Sequence, residues 1–386
     1  MKQLRLLALV LLLCLPGGCG GHWIFSDYRE IDQLELVQAL GLDHHNGLIT
    51  ATASGGGPED PVVLRSSAGS MSRAMRQMQD YTSRKYIFFG HTSHLLLGEE
   101  AAKQGLEQYL EHMEHFVEMR LNTFLYIVRE GTAEEAITAT GREGEGIVSL
   151  LTSLEKDVQL MSESHVFTCG EVAEALAERG CALAAAVSLT EQEDILAGES
   201  PVTIRPRGYA ILKAGKLAGY LDPDLARGAN LLLDLGGEDI LEVPDGTGGL
   251  AALRLTGSRV RYMPEFLDGT PVSLTVRVEL DCSLEELRLP ADTRREETLK
   301  LLERGAEELE LERIRQVLVL SRAMEADFCG IGGLVRQVRP LAYDGMEKPW
   351  EEVFPTLPLE VEVRCRLLRT YDAGEPPLKK LGEEAA

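Results

Sequence analysis

The chain opens on a basic tip, Met-Lys2-Gln-Leu-Arg5, then an apolar run from Leu6 to Leu15, then Pro16-Gly17-Gly18-Cys19. Basic residues, a short Leu-rich stretch and small residues before a cut site are the parts of an export signal. The run is about half of the roughly 20 apolar residues that a membrane-spanning helix needs. The segment is therefore expected to direct export without staying as a span, and the rest must fold outside the membrane. Later apolar runs such as Cys181 to Leu189 and Val317 to Leu320 are too short to cross a bilayer. A channel or carrier role for the mature body is excluded on that ground.

Cys19 follows two glycines, as the acylated Cys does in a bacterial lipobox, with Pro16 where that motif has Leu. The expected product is a diacylglyceryl thioether on Cys19. Two acyl chains, at about 0.8 kcal/mol per buried methylene, hold a protein stably on a membrane. An ordinary signal peptide or a buried Cys is the alternative. With a net charge of -23 from 62 acidic and 39 basic side chains, nucleic acid and electrostatic docking on anionic lipid are excluded as targets. A covalent anchor is how so acidic a chain stays on a membrane.

Length and composition define a folded body of more than one domain: 386 residues, 44% hydrophobic and 26% charged. Beyond Cys14 and Cys19, the cysteines are Cys169, Cys181, Cys282, Cys329 and Cys365, with no CxxC pair and no zinc spacing. An exported protein could pair some of them, Cys169 and Cys181 being nearest in sequence. Five buried thiols are the equal alternative.

Periodicity predicts a helix or strand over 34–42, a strand over 48–53, a loop over Ser54 to Pro61, and a helix over 70–81 with Met71, Met75 and Met78 on one face. Strands follow at 85–89 and 95–97, then one amphipathic helix from Glu99 to His115, a strand at 123–128 and a helix at 132–139. Thr132 and Glu135 form a capping-box pattern. A helix at 168–179 and a strand at 182–189 complete this part. A hairpin turning at Ala214-Gly215, a helix at 223–234 and a strand at 239–243 make a small middle unit. The last third reads as strands at 251–255 and 272–281, and a helix from about 293 to 326 with Leu299, Leu302, Ala306 and Leu309 in one stripe. Gly305 is its expected weak point, Gly330-Ile-Gly332-Gly333 its stop, and 357–368 a final strand.

Residues that could carry chemistry are few. His91 with His94, and His112 with His115, have the spacing of a helical zinc pair, but the general-base Glu of HExxH is missing. His91 is expected instead as a buried hydrogen-bonding side chain. Gly330-Ile-Gly332 is expected to follow a helix, whereas phosphate loops precede one. No nucleophile elbow is present. No cofactor or metal is expected, and no enzymatic activity.

An ordered set of segments resembles one family. Asp27-Tyr-Arg29-Glu30-Ile31-Asp32 looks like the start of mature spore-germination receptor C subunits, the Ger(x)C lipoproteins. The run from Val37 to Gly41-Leu-Asp43, the stretch Phe89-Gly90-His91 to Gly105, and Glu118-Met-Arg120 through Gly131 match further motifs of that family. So do Gly208-Tyr-Ala with Lys216 to Leu221, and Asp327-Phe-Cys-Gly330-Ile-Gly332 followed by Trp350. The resemblance runs from Cys19 to about Gly374. Trp23, usually next to the anchor Cys, is displaced behind Gly20-Gly21-His22, and His115 stands where Arg is expected.

The resemblance implies an α+β fold of three mixed α/β domains in tandem after a lipoprotein signal peptide. Their expected bounds are 1–18 for the signal, 19–200, 201–250, and 251–386, the last with one long helix on a small sheet. It implies a non-enzymatic lipoprotein on the outer face of the spore inner membrane, partnered by a polytopic A-type and a transporter-like B-type subunit in a nutrient-germinant receptor. Cys19 carries the anchor. Arg29, Glu30, His91, Glu118 and Arg120 are the motif positions, with support of the fold as their expected role. A solute-binding or structural envelope lipoprotein is the alternative, and a deep apolar pocket would favour it.

Overall fold

A computed structural model describes residues 29–57, 60–82, 85–139, 146–191, 202–246, 248–287 and 296–369. Among the described residues, thirteen strands form two sheets. Cys19 and its surroundings lie outside them.

The larger sheet is built first. Leu34–His45 (β1), Leu48–Gly57 (β2) and Asp60–Ala68 (β3) make an antiparallel meander, with the short Tyr86–Phe88 (β4) parallel to the start of β1. On the other side of β1, His94–Gly98 (β5), Phe124–Val128 (β6) and Cys181–Glu191 (β7) follow in parallel. Val202–Lys213 (β8) and Lys216–Leu221 (β9) close the order β3-β2-β1-β5-β6-β7-β8-β9 antiparallel. The parallel strands are the most apolar: all of β5 and Cys181 to Val187 of β7 are buried. A strand covered on both faces reads as a continuous apolar run. One face packs Leu40, Leu42, Leu95, Leu97 and Ile127 against Met71–Met78 (α1), Glu99–Gln104 (α2) and Glu107–His115 (α3). The other packs Ala39, Leu96, Tyr126 and Val128 against Ala133–Thr138 (α4) and Ile147–Met161 (α5), the latter helix unforeseen from the sequence.

Several expectations are corrected here. Within the loop expected over Ser54 to Pro61, the described residues are strand: β2 runs to Gly57, β3 starts at Asp60, and Gly55 sits where a Cβ would lie 2.3 Å from the Leu36 carbonyl oxygen, opposite a bulge in β1. Glycines there permit close approach rather than a turn. The single helix over 99–115 is two, because Gly105 takes φ 129 and Leu106 N–H turns to the Gly215 carbonyl at 2.7 Å. The capping box at Thr132 and Glu135 is present, and a second stands at Thr168 and Glu171 before Cys169–Arg179 (α6).

Residues 201–250 divide between the sheets. β8 extends the larger one, with Tyr209, Ile211 and Leu212 fully buried. After Pro223–Leu232 (α7), Asp239–Pro244 (β10) opens the smaller sheet, order β10-β11-β12-β13. Leu250–Leu267 (β11) and Thr270–Leu287 (β12) are far longer than the sequence predicts and pair antiparallel; Leu359–Arg369 (β13) lies parallel to β12. Glu296–Ala323 (α8) covers one face with Leu302, Ala306, Ile314 and Val317. Gly305 is no weak point: its missing Cβ makes room for the Val243 side chain of β10, 3.0 Å away. One continuous core joins Tyr209 and Ile211 of β8 to α7, α8 and the smaller sheet.

Gly330 does not stop α8, which ends at Ala323; with φ 67 it opens Ile331–Val338 (α9). Short helices Pro340–Asp344 (α10) and Trp350–Val353 (α11) lead to β13. Cys169, Cys181, Cys282, Cys329 and Cys365 are all buried free thiols.

Candidate functional site

The motif residues nearest the N-terminus converge on β4. Arg29 lays its guanidinium over the Tyr86 ring, 4.1 Å from the centroid. The Tyr86 hydroxyl donates to Glu118 Oε1 at 3.2 Å, and Glu118 Oε2 accepts the Phe89 N–H at 3.1 Å. Glu118 thus holds both ends of a strand only three residues long. Lys85 and the buried Glu35 of β1 pair at 3.1 Å beside it. A Cβ on Gly90 would lie 2.4 Å from the folded-back Phe88 ring, which also meets His91 edge-on at 6.1 Å.

Two motif residues act through their backbones: the Glu30 carbonyl accepts from Gln33 N–H at 2.9 Å, and the Arg120 carbonyl accepts from the Thr123 hydroxyl at 2.8 Å. Both side chains are exposed. The reading of His91 is corrected. It is exposed, and His94 is the buried histidine, because His94 starts a central strand whereas His91 lies in the turn before it.

His94 is 2% exposed, against the rings of Phe124 and Tyr126. Burial lowers its pKa to about 4, so the unfolded chain binds the proton first. Stability from this group is full above pH 6.5 and is lost as pH falls towards 4, by up to about 3 kcal/mol. Urea midpoints between pH 7 and pH 4 should therefore fall less steeply in His94→Gln than in the parent. Parallel pH dependences would show that His94 is not the responsible group.

The remaining histidines do not converge. His112 Nδ1 lies 3.2 Å from Ser72 Oγ, and His115 Nδ1 is 2.7 Å from the Glu111 carbonyl. Among the described residues, no group of three or more His, Cys, Asp or Glu is placed to hold a metal ion. Clefts among the described residues include one of about 330 Å³ bordered by Glu171, Glu174, Glu178 and Phe328, and one of about 510 Å³ between Arg129, Arg207 and Asp222. Arg129 already pairs with Asp222 at 2.6 Å and stacks on Tyr220.

Two carboxylates in the matched motifs have roles the sequence did not disclose. Asp43 at the end of β1 accepts the Ala133 and Glu134 N–H groups at 2.7 and 2.9 Å, capping α4 from a distant segment. Gly41 and Gly98 make the space, since a Cβ would stand 2.9 Å from Ile137 and 2.0 Å from Asp43 respectively. Asp327 accepts from Ile331 and Gly332 N–H at 2.8 and 2.7 Å and from the Trp350 indole at 2.9 Å. Gly330 follows α8, as expected, and also opens α9, whose first amides, Ile331 and Gly332 N–H, are already occupied by Asp327.

Among the described residues, these contacts hold distant segments together. Residues 27–189 match the family model described as spore germination protein N-terminal domain, and residues 207–371 match that described as spore germination B3/GerAC like, C-terminal. The chain belongs to this family of germinant-receptor C subunits. The crystal structure of the GerBC protein has the same fold, with TM-score 0.56 over 88% of this chain and 100% of that one at 16% identity. No curated protein matches the chain. Among the described residues, no helix is long and apolar enough to cross a membrane.

Proposed function

We propose that this protein is the lipid-anchored C subunit of a nutrient-germinant receptor, held by a diacylglyceryl group on Cys19 at the outer face of the spore inner membrane. It acts by contact with polytopic A-type and transporter-like B-type subunits, supporting receptor assembly or signalling, and catalyses no reaction. The observation that carries this reading is the pair of family models, matched in order over 27–189 and 207–371. The use of Arg29, Glu118, Asp43 and Asp327 in tying segments together supports a structural role for the matched motifs.

The test is dipicolinate release from spores of a deletion strain exposed to a panel of nutrients. Release is expected to fail for a subset of nutrients, to return with the wild-type gene, and not to return with Cys19→Ala. Wild-type release to every nutrient in the deletion strain, with other receptors also removed, would overturn the assignment.

A further inference from the structure

We infer that the cleft of about 510 Å³ at the carboxyl ends of β6 and β7 binds a small zwitterion of the α-amino acid class, with the carboxylate on Arg207 and the ammonium between Asp222 and Glu130. In α/β sheets, ligands bind in the crevice outside the carboxyl ends of parallel strands. The backbone is shaped around this one. β8 carries a bulge, in which Arg207 and Gly208 together stand opposite Ala186 of β7. Gly208 takes φ 73, and a Cβ there would clash with the Leu221 carbonyl oxygen, so β8 passes close to Leu221 and Asp222. Bulges re-aim side chains and recur beside functional sites. On the other wall, Arg129 N–H donates to the Val187 carbonyl at 2.8 Å, and Glu130 takes φ 57, a left-handed conformation uncommon for its type.

The charges left unpaired around the cleft select the ligand. Arg207 Nε donates to Ser188 Oγ at 2.9 Å, which fixes the guanidinium, and its two Nη groups have no partner among the described residues. A guanidinium held at Nε and open at its far end is a fork for a carboxylate. Asp222 gives one oxygen, Oδ1, to Arg129 Nη1 at 2.6 Å; its Oδ2 has no partner among the described residues, and its side chain does not cap α7. The Glu130 side chain is 82% exposed and meets Arg129 only at 3.9 Å. Arg129 also stacks on Tyr220, so it holds the acidic wall in place while Arg207 remains open. A ligand with only a carboxylate would leave the acceptors of Asp222 and Glu130 unused, and one with only an ammonium would leave Arg207 unpaired. A zwitterion satisfies both, and Leu189 on the same wall offers apolar contact to its side chain. The inference needs the cleft alone and is independent of the anchor and of the receptor partners.

The experiment is saturation-transfer NMR titration of the full-length protein in detergent micelles, with the common α-amino acids offered singly at millimolar concentration. At least one is expected to bind, and its amide and its des-amino acid to bind at least about ten-fold more weakly. Arg207→Met should weaken that binding by at least about ten-fold, and Glu130→Gln by about three-fold or more. Both side chains are exposed, so the variants should keep the far-UV spectrum of the parent. Arg259→Met, which removes an exposed arginine of the smaller sheet, should leave binding unchanged. Binding by none of the amino acids overturns the inference. Binding that Arg207→Met and Glu130→Gln leave unchanged puts the ligand elsewhere and overturns it too. A des-amino acid that binds as tightly as its parent shows a carboxylate site without the ammonium contact, and overturns the zwitterion assignment. None of these outcomes bears on the receptor reading, which dipicolinate release tests separately.

Discussion

Asp327→Ala is expected to cost on the order of 3–5 kcal/mol, seen as a lower urea midpoint with an unchanged slope. Asp327 is 8% exposed, and its carboxylate accepts three hydrogen bonds: Ile331 N–H, Gly332 N–H and the Trp350 indole. Each of the three donors left buried without a partner costs about 1–3 kcal/mol, and the low end applies because loss of a helix N-cap as a whole typically costs only about 1 kcal/mol. The packing leaves no room for another solution. A Cβ on Gly332 would stand 2.5 Å from the Trp350 ring, and one on Gly330 would meet the Arg179 guanidinium at 3.1 Å. Asp327→Asn keeps one acceptor oxygen and should fall between parent and alanine variant. A loss below about 1 kcal/mol for Asp327→Ala would mean that water satisfies these donors and that the carboxylate is not the cap described.

Arg313→Met is expected to destabilise by a similar amount, about 3–5 kcal/mol, through the charge it leaves behind. Glu310 on α8 is 2% exposed, pairs with Arg313, and has its second oxygen without a partner in the protein. Arg313 also reaches back to Asp224 on α7, with Nη2 and Nε at 2.5 and 3.0 Å. Helix α7 is pressed so close that a Cβ on Gly228 would lie 2.9 Å from the Arg313 backbone. Burial raises the Glu310 pKa, and without Arg313 nothing near it favours the ionised form. The penalty should thus shrink as pH falls and Glu310 takes a proton. Replacing both residues, Glu310→Leu with Arg313→Met, should recover most of the loss, since exchange of a buried pair for apolar side chains is often neutral. A double variant no more stable than Arg313→Met would show that the helix contact, not the unpaired carboxylate, dominates.

The capping box at Thr132 and the Ala214-Gly215 hairpin were legible in the chain because each is a local pattern of a few residues. Positive φ at both Ala214 and Gly215 is what a two-residue hairpin turn demands. The motif set around Gly41, Glu118 and Asp327 was legible as a resemblance, and the family match bears that out. The uses of those residues were not. Asp43 caps a helix ninety residues further on, and Glu118 reaches back twenty-nine to Phe89. Periodicity carries no record of such contacts, because neither partner changes the local pattern. The stripe on α8 shows the same limit: Leu302 and Ala306 are buried as spacing predicts, and so is Glu310, whose partner Arg313 also binds Asp224 of another helix.

The sequence by itself determined the net negative charge, the mixed α and β elements and the family. All follow from composition, short-range pattern or ordered motifs. Only the tertiary structure decided that β8 and β9 belong with the larger sheet, that Gly305 admits Val243, and that Asp43 caps a helix from a distant strand. These depend on which segments meet across long chain separations. The long-range pairings are selected by the burial of whole faces, here the apolar β5 and β7 at the centre of the sheet, and not by the spacing of residues along any one segment.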